Sequence, residues 1–82
     1  MNAWLKRKTV DEIIRVVPDP TNERVILCYE LYIAYEENHL GRILFDTEGY
    51  WIYDGDQLTI DEQEQVARFI IYNMDRKHIV NY

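Results

Sequence analysis

Eighty-two residues, 48% hydrophobic, with only three glycines and two prolines, fit one folded domain and exclude both a second domain and a disordered chain. The formal charge of −6, from 15 acidic against 9 Lys and Arg residues, disfavours direct nucleic-acid binding, which rests on cations meeting phosphates. No apolar run approaches the ~18 residues of a membrane-spanning helix, and the basic cluster in MNAWLKRKTVDE has no apolar segment behind it to make a signal peptide, so a cytoplasmic location is expected.

Thr9-Val10-Asp11-Glu12 has the form of a helix capping box, with a hydroxyl for a first-turn N–H and a carboxylate three residues on. Val10, Ile13, Ile14 and Val17 follow at helical spacing. The spacing predicts a helix ending near Val17, before Pro18 and Pro20, and reaching back as far as Ala3, with Trp4 and Leu5 as added apolar contacts. Pro18 to Asn22 is read as a turn.

Arg24 to Glu37 is dense in β-branched and aromatic types and is predicted as a strand, although a helix can also be written through it. Val25, Leu27, Tyr29, Leu31, Ile33 and Tyr35 would share one face. Ile26, Cys28, Tyr32 and Ala34 would share the other with Glu30 and Glu36. Fourteen residues is long for one strand, so a bulge or bend is expected. Glu30 interrupts the apolar run: buried, it needs a partner such as an arginine; exposed, it marks the solvent side.

Asn38 to Gly41 is predicted as a turn, Arg42 to Phe45 as a second strand, Asp46 to Gly49 as a tight turn and Tyr50 to Tyr53 as a third strand before an Asp54-Gly55 turn. Thr59-Ile60-Asp61-Glu62 is a second capping box. Behind it Gln63, Val66, Ala67, Ile70 and Met74 line one side of a helix, widened by Phe69 and Ile71 and running to about Arg76 or Lys77. The tail 78–82 reads as a short strand, a helix extension or a frayed end. The fold class expected is α+β: a three-stranded antiparallel meander against two helices, in the order α-β-β-β-α.

Charge is unevenly placed. Residues 19–64 hold twelve acidic and two basic side chains, while the segments 1–18 and 65–82 are each mildly basic. An acidic middle suits a basic protein partner; it also serves simply to keep an aromatic-rich surface soluble.

The usual signatures of chemistry fail. There is no serine and no glycine-rich phosphate loop. Cys28 is the lone cysteine, set in an apolar run without a base beside it, and reads as a buried inert thiol in a reducing compartment. Counted from Asp54, a calcium loop would need an oxygen ligand where Leu58 stands, a glycine at Thr59 and a glutamate at Gln65. His39 and His78 match no zinc spacing. No cofactor or metal is expected.

The function these residues favour is noncatalytic protein–protein interaction, with a second copy or another protein, through an aromatic and acidic sheet surface. Tyr29, Tyr32, Tyr35, Glu36, Glu37, Tyr50, Trp51, Tyr53, Asp54 and Asp56 are the candidates. The alternatives are a small acidic regulator or inhibitor of a nucleic-acid-binding protein and, less favoured, a small enzyme.

Overall fold

The computed structural model describes residues 1–7, 10–19 and 27–80, with side chains through Asn73. It contains five strands and one helix: β1 (Asn2–Leu5), β2 (Glu12–Pro18), β3 (Leu27–Ile33), β4 (His39–Phe45), β5 (Trp51–Asp54) and α1 (Ile60–Val80). The strands form one antiparallel sheet in chain order, β1-β2-β3-β4-β5.

This overturns the α-β-β-β-α order expected from the sequence. The segment predicted as the first helix is β2, and the segment suggested as its extension is β1. Ile13, Ile14, Val16 and Val17 fit helical spacing, but they also alternate. Ile14 and Val16 are fully buried on one face while Arg15 is exposed on the other. β-branched side chains are stiff in a helix and pack well on a pleated surface. Glu12 opens a strand rather than a helix, and it pairs with Arg7 at 3.2 Å. Thr9 lies outside the described residues, as do positions 20–26, which include part of the predicted Pro18–Asn22 turn and the start of the long predicted strand.

That strand is also shorter than predicted. β3 ends at Ile33, and the chain turns over 34–36 with Tyr35 at φ 66°. The turn predicted at Asn38 to Gly41 is instead largely strand, because β4 begins at His39. A bulge does occur in this pairing: Leu31 faces Gly41, but Tyr32 faces His39, so β4 carries one extra residue. Gly41 sits at φ +116° there, and a Cβ on it would lie 2.6 Å from the Asp54 carbonyl oxygen. Only glycine fits both requirements.

The β4–β5 turn follows its sequence. Asp46 Oδ1 accepts the N–H groups of Glu48 and Tyr50, each at 2.9 Å, and Gly49 takes φ +89°. The second capping box also forms: Glu62 N–H donates to Thr59 Oγ1 at 3.2 Å, and Thr59 N–H donates to Glu62 Oε1 at 2.9 Å. α1 continues through Val80, so a C-terminal strand over 78–80 is excluded.

The segment after β5 returns the chain to the opposite edge of the sheet, where the first turns of α1 meet β1 and the residues after it. Gln65 fixes this contact: Lys6 N–H donates to Oε1 at 2.8 Å, and Nε2 donates to the Lys6 carbonyl at 3.0 Å. Val66, Ala67 and Ile70 from α1 pack on Ala3, Leu5, Ile14, Val16, Leu31, Ile43 and Phe45 from the sheet. Each large aliphatic or aromatic side chain fully buried here stabilises the fold by roughly 1.5–3 kcal/mol. All the described helix lies on one side of the sheet. No helix among the described residues is long and apolar enough to cross a membrane.

Candidate protein-interaction surface

Strand alternation determines which side chains point away from the helix. Trp4 from β1, Ile13, Arg15 and Val17 from β2, Cys28, Glu30 and Tyr32 from β3, and Arg42 and Leu44 from β4 fall on the face opposite the core, with Ile52 and Asp54 of β5. The bulge at Gly41 brings His39 onto this face beside Arg42, although the two are three positions apart.

Across its middle runs an ordered polar chain. The Arg15 guanidinium lies 4.6 Å from the centre of the Tyr32 ring, and that ring lies 5.1 Å from the His39 imidazole. His39 Nε2 is 2.6 Å from Glu30 Oε1. Arg42 sits 3.9 Å from Glu30 Oε2 and donates to Asp54 Oδ2 at 3.0 Å. That hydrogen bond to Asp54 raises Arg42 above its ordinary pKa, helped by the Asp54 and Glu30 charges and opposed by desolvation. Glu30 is thus half-buried with a histidine and an arginine as its partners.

Apolar groups flank this chain at both ends. Trp4 (70% exposed) pairs with Ile13 at one corner, and Leu44 pairs with Ile52 (66% exposed) at the other. Scattered single apolar residues are ordinary on a surface; contiguous ones mark contact sites.

The sequence-predicted candidates separate into three groups. Tyr29 is in the core, edge-on to Phe45 with ring centres 6.0 Å apart. Tyr32 is on the face away from the helix, while Tyr35, Glu36 and Glu37 are exposed in and just after the β3–β4 turn. Tyr50, Trp51, Tyr53 and Asp54 gather on β5 and its entry, with Asp56 just beyond it. Trp51 and Tyr53 pack half-buried against the core, and the Tyr53 hydroxyl donates to the Leu40 carbonyl. The structure therefore brings Tyr50, Trp51, Tyr53, Asp54 and Asp56 to one edge. Sequence reading missed Trp4, Ile13, Leu44 and Ile52 as surface groups because the false helix hid the first two. It placed His39 in a turn, whereas the Glu30 interruption was the available signal for a polar cluster.

Two further clusters are paired within the chain. Arg7 donates to Glu62 at 2.8 Å and to Glu12 at 3.2 Å beside the start of α1. Asp19, Cys28 and Glu30 bring ligand atoms within 4.8 Å of one another, but Glu30 is already engaged by His39 and Arg42. Cys28 is 3% exposed, and burial, followed by the Glu30 and Asp19 charges, pushes its thiol up. A protonated buried thiol is a poor nucleophile. The side chain of His78 lies outside the described residues.

No protein-family model, curated protein or solved structure matches this chain.

Proposed function

We propose that this chain is a noncatalytic protein-binding domain whose contact surface is the helix-free side and β5 edge of its sheet. One observation carries the reading: a five-stranded sheet has its described helix on one face only, and the other face presents Trp4, Ile13, Tyr32, Leu44 and Ile52 around a charged centre. The aromatic rings supply contact area at low entropic cost, and the Arg15, Glu30, Arg42 and Asp54 charges supply orientation. A single buried cysteine suits a reducing compartment, so a cytoplasmic setting is part of the proposal.

Action as an acidic regulator of a nucleic-acid-binding protein draws less support. Glu36, Glu37, Asp54 and Asp56 lie toward one end of the sheet and Asp46 and Glu48 toward the other, a β4 length or about 20 Å away. Direct nucleic-acid binding loses a cation, since Arg7 is held by two glutamates.

The test is cross-linked capture from native extract with the wild type and with Leu44→Lys, each shown folded by circular dichroism. A discrete partner retained by the wild type and lost by the variant supports the reading. A doubled mass in light scattering at micromolar concentration, abolished by Leu44→Lys, identifies that partner as a second copy. Identical behaviour of both chains in both measurements refutes the proposed surface.

A further inference from the structure

β5 has one neighbour in the sheet, β4, so its outer side is a free edge among the described residues. The direction of its backbone groups follows from the register. Asp46 N–H donates to the Tyr50 carbonyl at 2.9 Å. Hydrogen-bonded pairs recur at every second residue of an antiparallel ladder, so Leu44–Ile52 and Arg42–Asp54 are the bonded pairs. The N–H and C=O groups of Trp51 and Tyr53 therefore point away from β4, off the sheet.

Edge strands are ordinarily blunted by proline, lysine, a bulge or a covering loop. The β5 sequence Trp-Ile-Tyr-Asp contains no proline or lysine, and its register with β4 is regular. Tyr50 (71% exposed) stands at its start and Ile52 in its middle. Beside them is an open apolar hollow of about 260 Å³ lined by Leu44, Phe45, Asp46, Tyr50, Trp51 and Ile52.

Charge decides what kind of strand fits. Asp46 and Glu48 stand at one end of β5, and Asp54 and Asp56 at the other. The one cation on β4, β5 and their turn is Arg42, already engaged by Asp54 and Glu30. A second β5 laid antiparallel would place the Asp54 and Asp56 end of each copy against the Asp46 and Glu48 end of the other, acid against acid. A strand bearing Lys or Arg meets the opposite sign at both ends.

We propose that β5 accepts an extended segment of a partner protein as a sixth strand, one offering an apolar side chain to the hollow and flanking Lys or Arg to the carboxylates. Backbone pairing gives such additions their affinity, and the hollow and charges give selection. This rests on the protein-binding reading above and narrows it to an edge and a partner chemistry.

The probes are an eight-residue peptide alternating valine and lysine, a twin alternating valine and glutamate, and a fully N-methylated version of the first, each titrated into the ¹⁵N-labelled full chain. The Val/Lys peptide should shift the amide resonances of 51–54 and slow hydrogen exchange at Trp51 and Tyr53. The Val/Glu twin and the N-methylated peptide should bind at least about tenfold more weakly. A Glu48→Lys/Asp56→Lys variant with a native-like amide spectrum should reverse the preference between the charged peptides. Equal binding of the N-methylated peptide, equal binding of the two charged peptides, or no shift with any peptide would overturn the edge assignment. So would shifts centred on Trp4 and Ile13, which would leave the broader protein-binding reading standing; that reading fails separately, in the Leu44→Lys capture experiment.

Discussion

Arg7 Nε donates to Glu62 Oε2 at 2.8 Å, joining the segment after β1 to the first turn of α1 across 55 positions of sequence. The Glu62 carboxylate serves two ends at once, because its other oxygen accepts the Thr59 N–H of the capping box. With the residue only 9% exposed, removing it leaves Arg7 and the Thr59 N–H short of a partner. Glu62→Ala should lower stability by about 2 kcal/mol, a lost cap plus a charged hydrogen bond. Urea unfolding measures it; an unchanged midpoint would show that the pair is energetically silent.

The same carboxylate gives a pH dependence. Burial pushes Glu62 up, but the hydrogen bonds from Arg7 and Thr59 and the Arg7 charge outweigh it, and its pKa falls below the ordinary 4.5. A depressed folded pKa means that the stabilisation is present above the unfolded value and is lost as pH falls through the folded one. The wild type should therefore lose urea resistance on acidification below about pH 4.5, and Glu62→Gln, weaker at neutral pH, should lose less over that interval. Parallel pH profiles for the two chains would count against this origin.

Glycine substitutions should separate two causes. At Gly41 a Cβ meets the Asp54 carbonyl oxygen at 2.6 Å and the Tyr53 ring at 2.8 Å, at φ +116°. At Gly49 φ is +89° but nothing lies within 4 Å. Gly49→Ala should cost about 1 kcal/mol, the conformational penalty alone. Gly41→Ala should cost roughly 3 kcal/mol or more, since backbone must also move. Thermal melts of both variants test the order; equal losses would mean that the β4 bulge yields freely.

Tyr53→Phe removes the donor to the Leu40 carbonyl and the acceptor for the Gln57 N–H, which lies 3.2 Å from the hydroxyl. The ring remains packed on the core. A loss of about 1–2 kcal/mol is expected in denaturant unfolding, with the helix signal in circular dichroism unchanged. A fully neutral substitution would show that water replaces both bonds.

Cys28 should resist alkylation in the folded chain. Its burial and the neighbouring carboxylates disfavour the thiolate, and reagent must await an opening. Iodoacetamide should react at least about tenfold more slowly than with the urea-unfolded chain. Equal rates would place the thiol in solvent.

The sequence pattern carried local chemistry well and partnership poorly. The Thr59–Glu62 capping box, the helix stripe of Val66, Ala67 and Ile70, and the Asp46–Gly49 turn form as read, because each depends on neighbours within a few residues. The parity of Tyr29 and Leu31 against Cys28 and Glu30 also holds, since alternation is a property of any extended chain. That Tyr50 to Asp56 lie along one hairpin arm and the loop after it was legible for the same reason, but not that Trp51 and Tyr53 turn toward the core.

The local pattern misleads at 12–18, where the spacing predicts a helix and the chain is a strand. Ile13, Ile14, Val16 and Val17 satisfy both periods over so short a run, and only pairing with β1 on one side and β3 on the other selects the strand. That choice turns the three-stranded sheet into five and removes the second helix. It sets Trp4 and Ile13 on the face away from the helix, and the β4 bulge aligns His39 and Arg42 with Glu30. Composition and spacing alone determined an acidic, aromatic domain without recognisable catalytic spacing. Which side chains point away from the helix, and which strands lie at the sheet's edges, was decided by long-range backbone pairing, whose partners lie too far apart in the chain for periodicity to register.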